Sequence, residues 1–274
     1  MIQPVKLIVA SDSGGGKTGA LASLAAAGYS LRIADLDNNS SILRGLLTSP
    51  DSPYVKANKD VSKQLTSVVP ITEPRSLVGG KLNIVTSPER PLAWTRLSNL
   101  LQNWDDGTNK LGAITDWGER DVLVIDTLTR AARAAMNFHL SLNGRLNQKP
   151  SLYDFGDAQG LIRSLLEILT ASEVKCNVVL NAHIDYGETK SGTPTEFPLT
   201  VGNALGPEVA ICFGSLLKID ISARLVAGKR EFSRVLRTTP TSPLGVKTSA
   251  PFSAKSEYPL ESGLADYFRA VRGE

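Results

Sequence analysis

The run Ser13-Gly14-Gly15-Gly16-Lys17-Thr18 separates a short apolar stretch, Val5 to Ala10, from an Ala- and Leu-rich one, Lys17 to Ala27, that Gly28 stops. No other feature narrows the possible folds as far. An apolar run that ends in glycines predicts a buried parallel strand feeding a loop. Ala and Leu followed by glycine at the C′ position predict a helix. With Leu31 to Asp35 as the next strand, these segments form a βαβ unit, so the fold expected is α/β with a mostly parallel central sheet flanked by helices.

A glycine loop between strand and helix is also a chemical statement. Glycines let backbone N–H groups turn inward around phosphate oxygens, and the helix N-terminus adds a favourable dipole. Lys17 can reach the outer phosphates, and the Thr18 hydroxyl can ligate magnesium. The cofactor-binding candidates are Asp12, Ser13, Gly14, Gly15, Gly16, Lys17, Thr18 and Gly19. The usual pattern, G-x-x-x-x-G-K-[ST], places glycine at position 11, where this chain has Ser11; the extra glycines at 14 and 15 are expected to supply the flexibility.

Three further residues complete the candidate constellation. Asp126 closes the apolar run Val122 to Ile125 and is expected beside the loop in a parallel sheet, holding magnesium through water or Thr18. Asp37, with Asp35 as its competitor, ends the second strand and could position the attacking water; the alternative is that this pair only caps the helix that follows. His183 ends the strand starting at Asn177 and could sense the terminal phosphate. His139 reads as structural. The catalytic candidates are therefore Lys17, Asp37, Asp126 and His183, with Thr18 and Asp126 as the metal pair and ATP and Mg²⁺ as the cofactors.

The remaining segments predict one domain over 1–274, with an irregular, Pro- and Ser-rich excursion at about 48–80. Leu82 to Thr86 could return to the sheet, and Pro91 to Trp104 has helical spacing. Helices are expected at 128–142 and about 157–172, a long loop at 184–207, a hairpin of Ser215–Ile221 with Ser233–Thr238 turning near Gly228, and a closing helix at 261–272. Trp94, Trp104 and Trp117 read as packing residues, and Cys176 and Cys212 as small core residues of a reducing, cytoplasmic compartment. With 42% hydrophobic and 21% charged residues the chain is not disordered. No apolar stretch approaches the ~20 residues of a bilayer span, and the N-terminal run is too short for a signal peptide. The net charge of +3 is small but uneven. Basic residues gather at Lys218 to Lys255 and, with no acid among them, as Arg130, Arg133, Arg145 and Lys149.

The glycine run, Ile33-Ala-Asp-Leu-Asp-Asn38, Asp121 to Thr127, Asn177 to His183 and Leu236-Arg-Thr-Thr-Pro240 together resemble the bacteriophage RecA-like ATPases, core-only relatives of RecA and RadA that act in recombination and single-strand annealing. The resemblance is weakest over residues 48–118. It implies a RecA-like core that binds and hydrolyses ATP, with Asp37 where RecA has Glu and His183 near the family's γ-phosphate sensor. It also implies self-association as a ring or filament. Cations from a neighbouring subunit would complete each site, with Lys229 and Arg230 as candidates and Arg237 a weaker one. Loops at 143–156 and 184–207 would contact single-stranded DNA, the first through Arg133, Arg145 and Lys149. The second is not basic, since Asp185, Glu188 and Glu196 oppose Lys190.

Two other readings fit parts of the pattern. Gly16-Lys17-Thr18 with Asp35-Leu36-Asp37 is similar to the ParA/MinD partition ATPases, but their early signature lysine falls at Asp12, of opposite charge. A nucleotide-switched assembly protein with slow turnover and no direct DNA role accommodates Ser11 and the short side chain of Asp37.

Overall fold

The structure is a computed structural model that describes residues 3–58, 60–61, 65–188, 192–202, 204–226, 229–240 and 245–274. In chain order it begins β1 (Lys6–Ser11), α1 (Lys17–Ala26), β2 (Ser30–Asp35), α2 (Ser41–Thr48) and α3 (Pro53–Ala57). Next come β3 (Leu65–Pro70), β4 (Arg75–Val78), β5 (Lys81–Ile84), α4 (Ala93–Gln102), β6 (Trp104–Asp105) and β7 (Lys110–Gly112). Then β8 (Asp121–Asp126), α5 (Leu128–Leu142), α6 (Leu152–Thr170), β9 (Asn177–Glu188), β10 (Pro194–Pro198) and α7 (Leu205–Cys212) follow. The chain closes with β11 (Ser215–Val226), β12 (Lys229–Arg237), β13 (Glu257–Pro259) and α8 (Leu260–Arg272).

The central sheet runs β13-β12-β11-β1-β9-β8-β2-β3, with β10 attached to β9. From β11 to β3 every neighbouring pair is parallel, and β12, β13 and β10 add antiparallel pairs. The fold is therefore α/β, a mostly parallel sheet flanked by helices with a late antiparallel hairpin.

Continuous apolar strands are what a sheet covered on both faces requires. Along β1, Ile8 and Ala10 enter the core under α4, α5 and α6, while Leu7 and Val9 enter the one under α1, α2 and α8. In β8, Leu123 and Ile125 go to the first and Val122 and Val124 to the second. Helix α8 closes the second core with Leu264, Tyr267 and Phe268, all buried, and Phe268 meets Tyr29 edge to face at 5.3 Å. Burying each such side chain is worth about 2 kcal/mol in apolar area, which fixes the C-terminal helix against α1.

Several expectations are corrected. Residues 48–80 are not simply irregular, because α3 forms there with Pro53 at its first turn and β3 joins the main sheet beside β2. Pro50, Pro53 and Pro70 punctuate that segment at element ends, where the missing N–H costs little. Lys81–Ile84 does not return to the main sheet but pairs with β4 as a separate hairpin. The segment after His183 is no open loop: β9 continues to Glu188, β10 pairs back on it, and α7 follows. Asp126 does lie beside the glycine loop, hydrogen-bonded to Thr18, although β9 is inserted between β1 and β8. Cys212 is exposed rather than core, whereas Cys176 is buried. Trp94, Trp104 and Trp117 are buried, as packing residues should be. No helix of the described residues is long and apolar enough to cross a membrane.

Candidate functional site

The glycine loop leaves β1 at Ser11 and becomes α1 at Lys17. Gly14 and Gly16 have φ of 76° and 101°, a region that side chains avoid, so the sharp reversal before the helix needs glycine at both. Gly15 is required for another reason. A Cβ there would stand 2.3 Å from Ser11 Oγ. Ser11, which departs from the usual glycine, is thus accommodated by the absence of a side chain at position 15. Its hydroxyl also has work in the loop: it donates to the Asp12 carbonyl at 2.9 Å and accepts from Lys17 Nζ at 2.9 Å.

Lys17 is 6% exposed, and its ammonium also donates to the Ser11 carbonyl at 3.0 Å and the Asp12 carbonyl at 3.2 Å. Burial lowers its proton affinity, and the carboxylates of Asp126, Asp37 and Asp12 oppose that effect. Three neutral acceptors hold the cation in place, and phosphate oxygens are stronger acceptors for the same donor.

Thr18, on the first turn of α1, donates to Asp126 Oδ2 at 2.7 Å. Asp126 is 2% exposed, and its other oxygen accepts from Asn181 Nδ2 at 3.1 Å. Burial pushes its carboxyl up to about 6, while the Thr18 and Asn181 hydrogen bonds pull the other way and Asp37 and Asp35 add to the rise. Across the sheet Asp126 is in register with Asn181 of β9, so the inserted strand supplies a third polar group. Asn181 Oδ1 is buried with no hydrogen-bond partner among the described residues. A hydroxyl, a carboxylate under charge stress and an orphaned amide oxygen form the kind of oxygen-donor set a hard divalent cation accepts.

The two acids at the end of β2 divide their roles. Asp35 is fully buried and accepts the backbone N–H groups of Asn39 and Ser40, capping the approach to α2. Asp37 lines the cavity over the glycine loop, and its Oδ1 accepts from Arg130 Nε at 2.9 Å. His183 is not at a strand end but within β9, level with Ser11 of β1. It lines the same cavity, and burial followed by the Lys17 charge lowers its pKa. Both effects favour the neutral imidazole. His139 is structural, with Nε2 3.0 Å from Asp154 Oδ1.

This cavity has a volume of about 610 Å³ and is lined by Ser13 to Gly19, Asp37, Asp126 and His183. Asp12 is not part of it, because its carboxylate faces away and accepts the Tyr186 hydroxyl at 2.9 Å. Several lining residues escaped the sequence reading: among them Ile42, Leu46 and Tyr54 form an apolar wall, and Arg234 of β12 lies where a Cβ on Gly16 would come within 3.4 Å of its Cδ. Arg234 is exposed with no ion pair among the described residues. Its alternation with Leu236, which packs against α8, is the only trace it leaves in the sequence.

Of the other candidate cations, the side chains of Lys229 and Arg230, like Lys190, lie outside the described residues, and Arg237 is engaged by Asp220 at 2.5 Å and Glu257 at 2.7 Å. Arg145 is not free for an outside anion. It makes two bonds to Asp154, at 2.8 and 2.9 Å, in a network with Ser151 that pins the 143–151 turn. Arg133 and Lys149 are exposed.

No known protein-family profile matches this chain, and no curated protein sequence does. Among solved structures, the RadB recombinase matches 96% of this chain and 90% of its own at 12% identity and a TM-score of 0.44. The flagellar accessory protein FlaH from Methanocaldococcus jannaschii matches 96% and 89% at 11% identity and 0.43. A prototypical ATPase from the type III secretion system of pathogenic bacteria matches 80% and 52% at 15% identity and 0.42. Similarities at this level assign neither family nor activity, and the functional reading rests on the site itself.

Proposed function

We propose that the chain is a RecA-like P-loop ATPase that binds Mg·ATP over the Ser13–Thr18 loop and hydrolyses it. The observation that carries this reading is the convergence of Lys17, the Thr18–Asp126 pair and Asp37 on one cavity of about 610 Å³. The residues fit the absent groups: the glycine-only backbone forms a concave cradle at a helix N-terminus, and beside the buried Asp126 carboxylate the Asn181 Oδ1 has no hydrogen-bond partner among the described residues. Lys17 and the loop amides would hold the β- and γ-phosphates, and Thr18 with Asp126 would hold magnesium. Bound magnesium supplies charge neutralisation on the transferred phosphoryl group.

The chain's own residues then account for the reaction. Water attacks the γ-phosphorus in line, the bond from phosphorus to the β–γ bridging oxygen breaks, ADP leaves, and Asp37 orients the water and takes its proton. Lys17 offsets the charge that develops on the phosphoryl oxygens, and neutral His183 offers a hydrogen bond near the same phosphate. The apolar wall of Ile42, Leu46 and Tyr54 suits the flat face of a nucleobase.

We further place the enzyme in single-stranded DNA recombination or annealing, acting as a self-associated ring or filament in the cytoplasm. Exposed Arg133 and Lys149 support that partner. The Arg130–Asp37 ion pair supports slow turnover in the resting protein, which also suits a nucleotide-switched assembly protein. Steady-state ATP hydrolysis with and without single-stranded DNA separates the two, with Lys17→Ala as the control. DNA-stimulated turnover lost in Lys17→Ala is the expected result; undiminished hydrolysis in that variant refutes the site, and slow turnover indifferent to DNA favours the switch.

A further inference from the structure

Behind Asp37, away from the glycine loop, lies a second cavity of about 410 Å³ between β4, α4 and the first turns of α5. Arg75, Arg130 and Arg133 line it. Asp37 is the one described residue that lines both this cavity and the nucleotide cavity. Arg75 and Arg133 are exposed and have no acidic partner among the described residues, and half of the Arg130 side chain is open to solvent. The cavity's carboxylates are Asp37, held by Arg130, and Glu73, which accepts the Ala93 N–H at 3.1 Å and the Asn137 amide at 2.9 Å. Three guanidinium groups against two carboxylates leave it net positive.

The cations continue beyond the cavity. Arg90 donates to the Arg75 carbonyl at 3.2 Å and Arg96 to the Pro70 carbonyl at 2.7 Å, so guanidinium groups flank the whole Pro70–Arg75 segment, with Glu89 and Asp105 the further acids that line cavities beside them. Forked guanidinium donors match phosphate oxygens two at a time. A band of them matches a chain of phosphates better than it does a single phosphate.

We propose that this arginine cleft binds the phosphodiester backbone of a single-stranded nucleic acid, and that Arg130 is shared between that backbone and Asp37, so that occupancy of the cleft releases Asp37 to position water. The second half rests on the reading of Asp37 given above. With the cleft empty, Arg130 is the partner of Asp37, and the Asp37 oxygen that accepts from the guanidinium is not open to a water. A phosphate in the cleft competes for the same guanidinium. Arg130 is then a positioning residue, and the 143–151 turn, whose arginine is bound internally, is not the principal contact.

The test has two arms. Anisotropy of a fluorescent 20-nucleotide oligothymidylate, titrated without ATP across a salt series, reads the cleft alone. The Arg75→Gln, Arg133→Gln double variant is expected to bind at least tenfold more weakly, with a slope of log affinity against log salt shallower by about 1.4, as two lost phosphate contacts on a single strand require. Its ATP turnover without DNA is expected to match that of the unaltered protein. Retained affinity and slope overturn the cleft, and so does binding of a phosphoserine peptide but not of the oligonucleotide.

Steady-state ATP hydrolysis by Arg130→Gln reads the shared residue. Severalfold faster turnover without DNA, together with loss of further stimulation by oligothymidylate, is expected. Unchanged or slower turnover that DNA still stimulates overturns the sharing of Arg130. Unaltered protein that hydrolyses no more ATP than Lys17→Ala refutes the nucleotide reading itself and removes the Asp37 half with it, while the anisotropy arm still decides the cleft.

Discussion

Replacing Asp126 by Asn is expected to stabilise the protein while removing its use for magnesium. Asp126 is 2% exposed, and burial raises its carboxyl from an ordinary 3.8 to about 6. The folded protein therefore holds this proton more tightly than the unfolded chain does. Between those two values stability falls as pH rises, and above about 6 the whole cost of the buried charge is present. A proton affinity raised roughly a hundredfold corresponds to about 3 kcal/mol. Asparagine keeps the geometry, accepting from Asn181 Nδ2 on one side and donating to the Thr18 hydroxyl on the other. In magnesium-free, nucleotide-free buffer at pH 7.5, urea unfolding is expected to show Asp126→Asn more stable by about 1–3 kcal/mol, the upper figure holding if both hydrogen bonds survive intact. The gain should disappear near pH 4, where the native carboxyl is already neutral. A variant less stable than the parent at pH 7.5, or a difference that does not vary between pH 4 and 7.5, refutes the claim that Asp126 is a desolvated charge awaiting a cation.

The same carboxyl predicts that Mg²⁺-dependent nucleotide affinity, measured by calorimetry, falls about tenfold per pH unit below about 6, because the proton and the cation compete for one group; a flat profile from pH 5 to 7 contradicts it. Gly15→Ala should disrupt the loop and weaken nucleotide binding by at least tenfold, since its Cβ meets Ser11 Oγ at 2.3 Å. Ser11→Gly in the same chain should restore most of that affinity, and failure of the pair to rescue would mean that Gly15 matters for something other than Ser11. Phe268→Ala, which empties the fully buried seat against Tyr29, should cost about 3–5 kcal/mol in chemical denaturation, and a loss below about 1 kcal/mol would show that α8 is not fixed by this contact.

Local chemistry was legible in the residues themselves. A glycine loop between an apolar run and an Ala/Leu helix specifies strand, turn and helix through backbone freedom and propensity, and Lys17 and Thr18 follow from their place at that helix's start. Asp126 was equally readable as the end of an unbroken apolar strand, because a doubly covered sheet tolerates a charge only at its edge. Order within the sheet was not. Nothing local says that β9 is inserted between β1 and β8, so Asn181, which faces Asp126 across that insertion, had no signal of its own. Prolines and serines obscured α3 and β3, since the composition of a segment does not record which neighbour it packs against. The cations show the difference most clearly. Along the chain Arg130, Arg133 and Arg145 look alike, yet Arg145 is consumed by Asp154, Arg130 is held by Asp37, and Arg133 stands open beside Arg75, more than fifty residues away in sequence. Charge is a property of the residue, but whether that charge is available depends on its partner, and the partner is brought there by the fold.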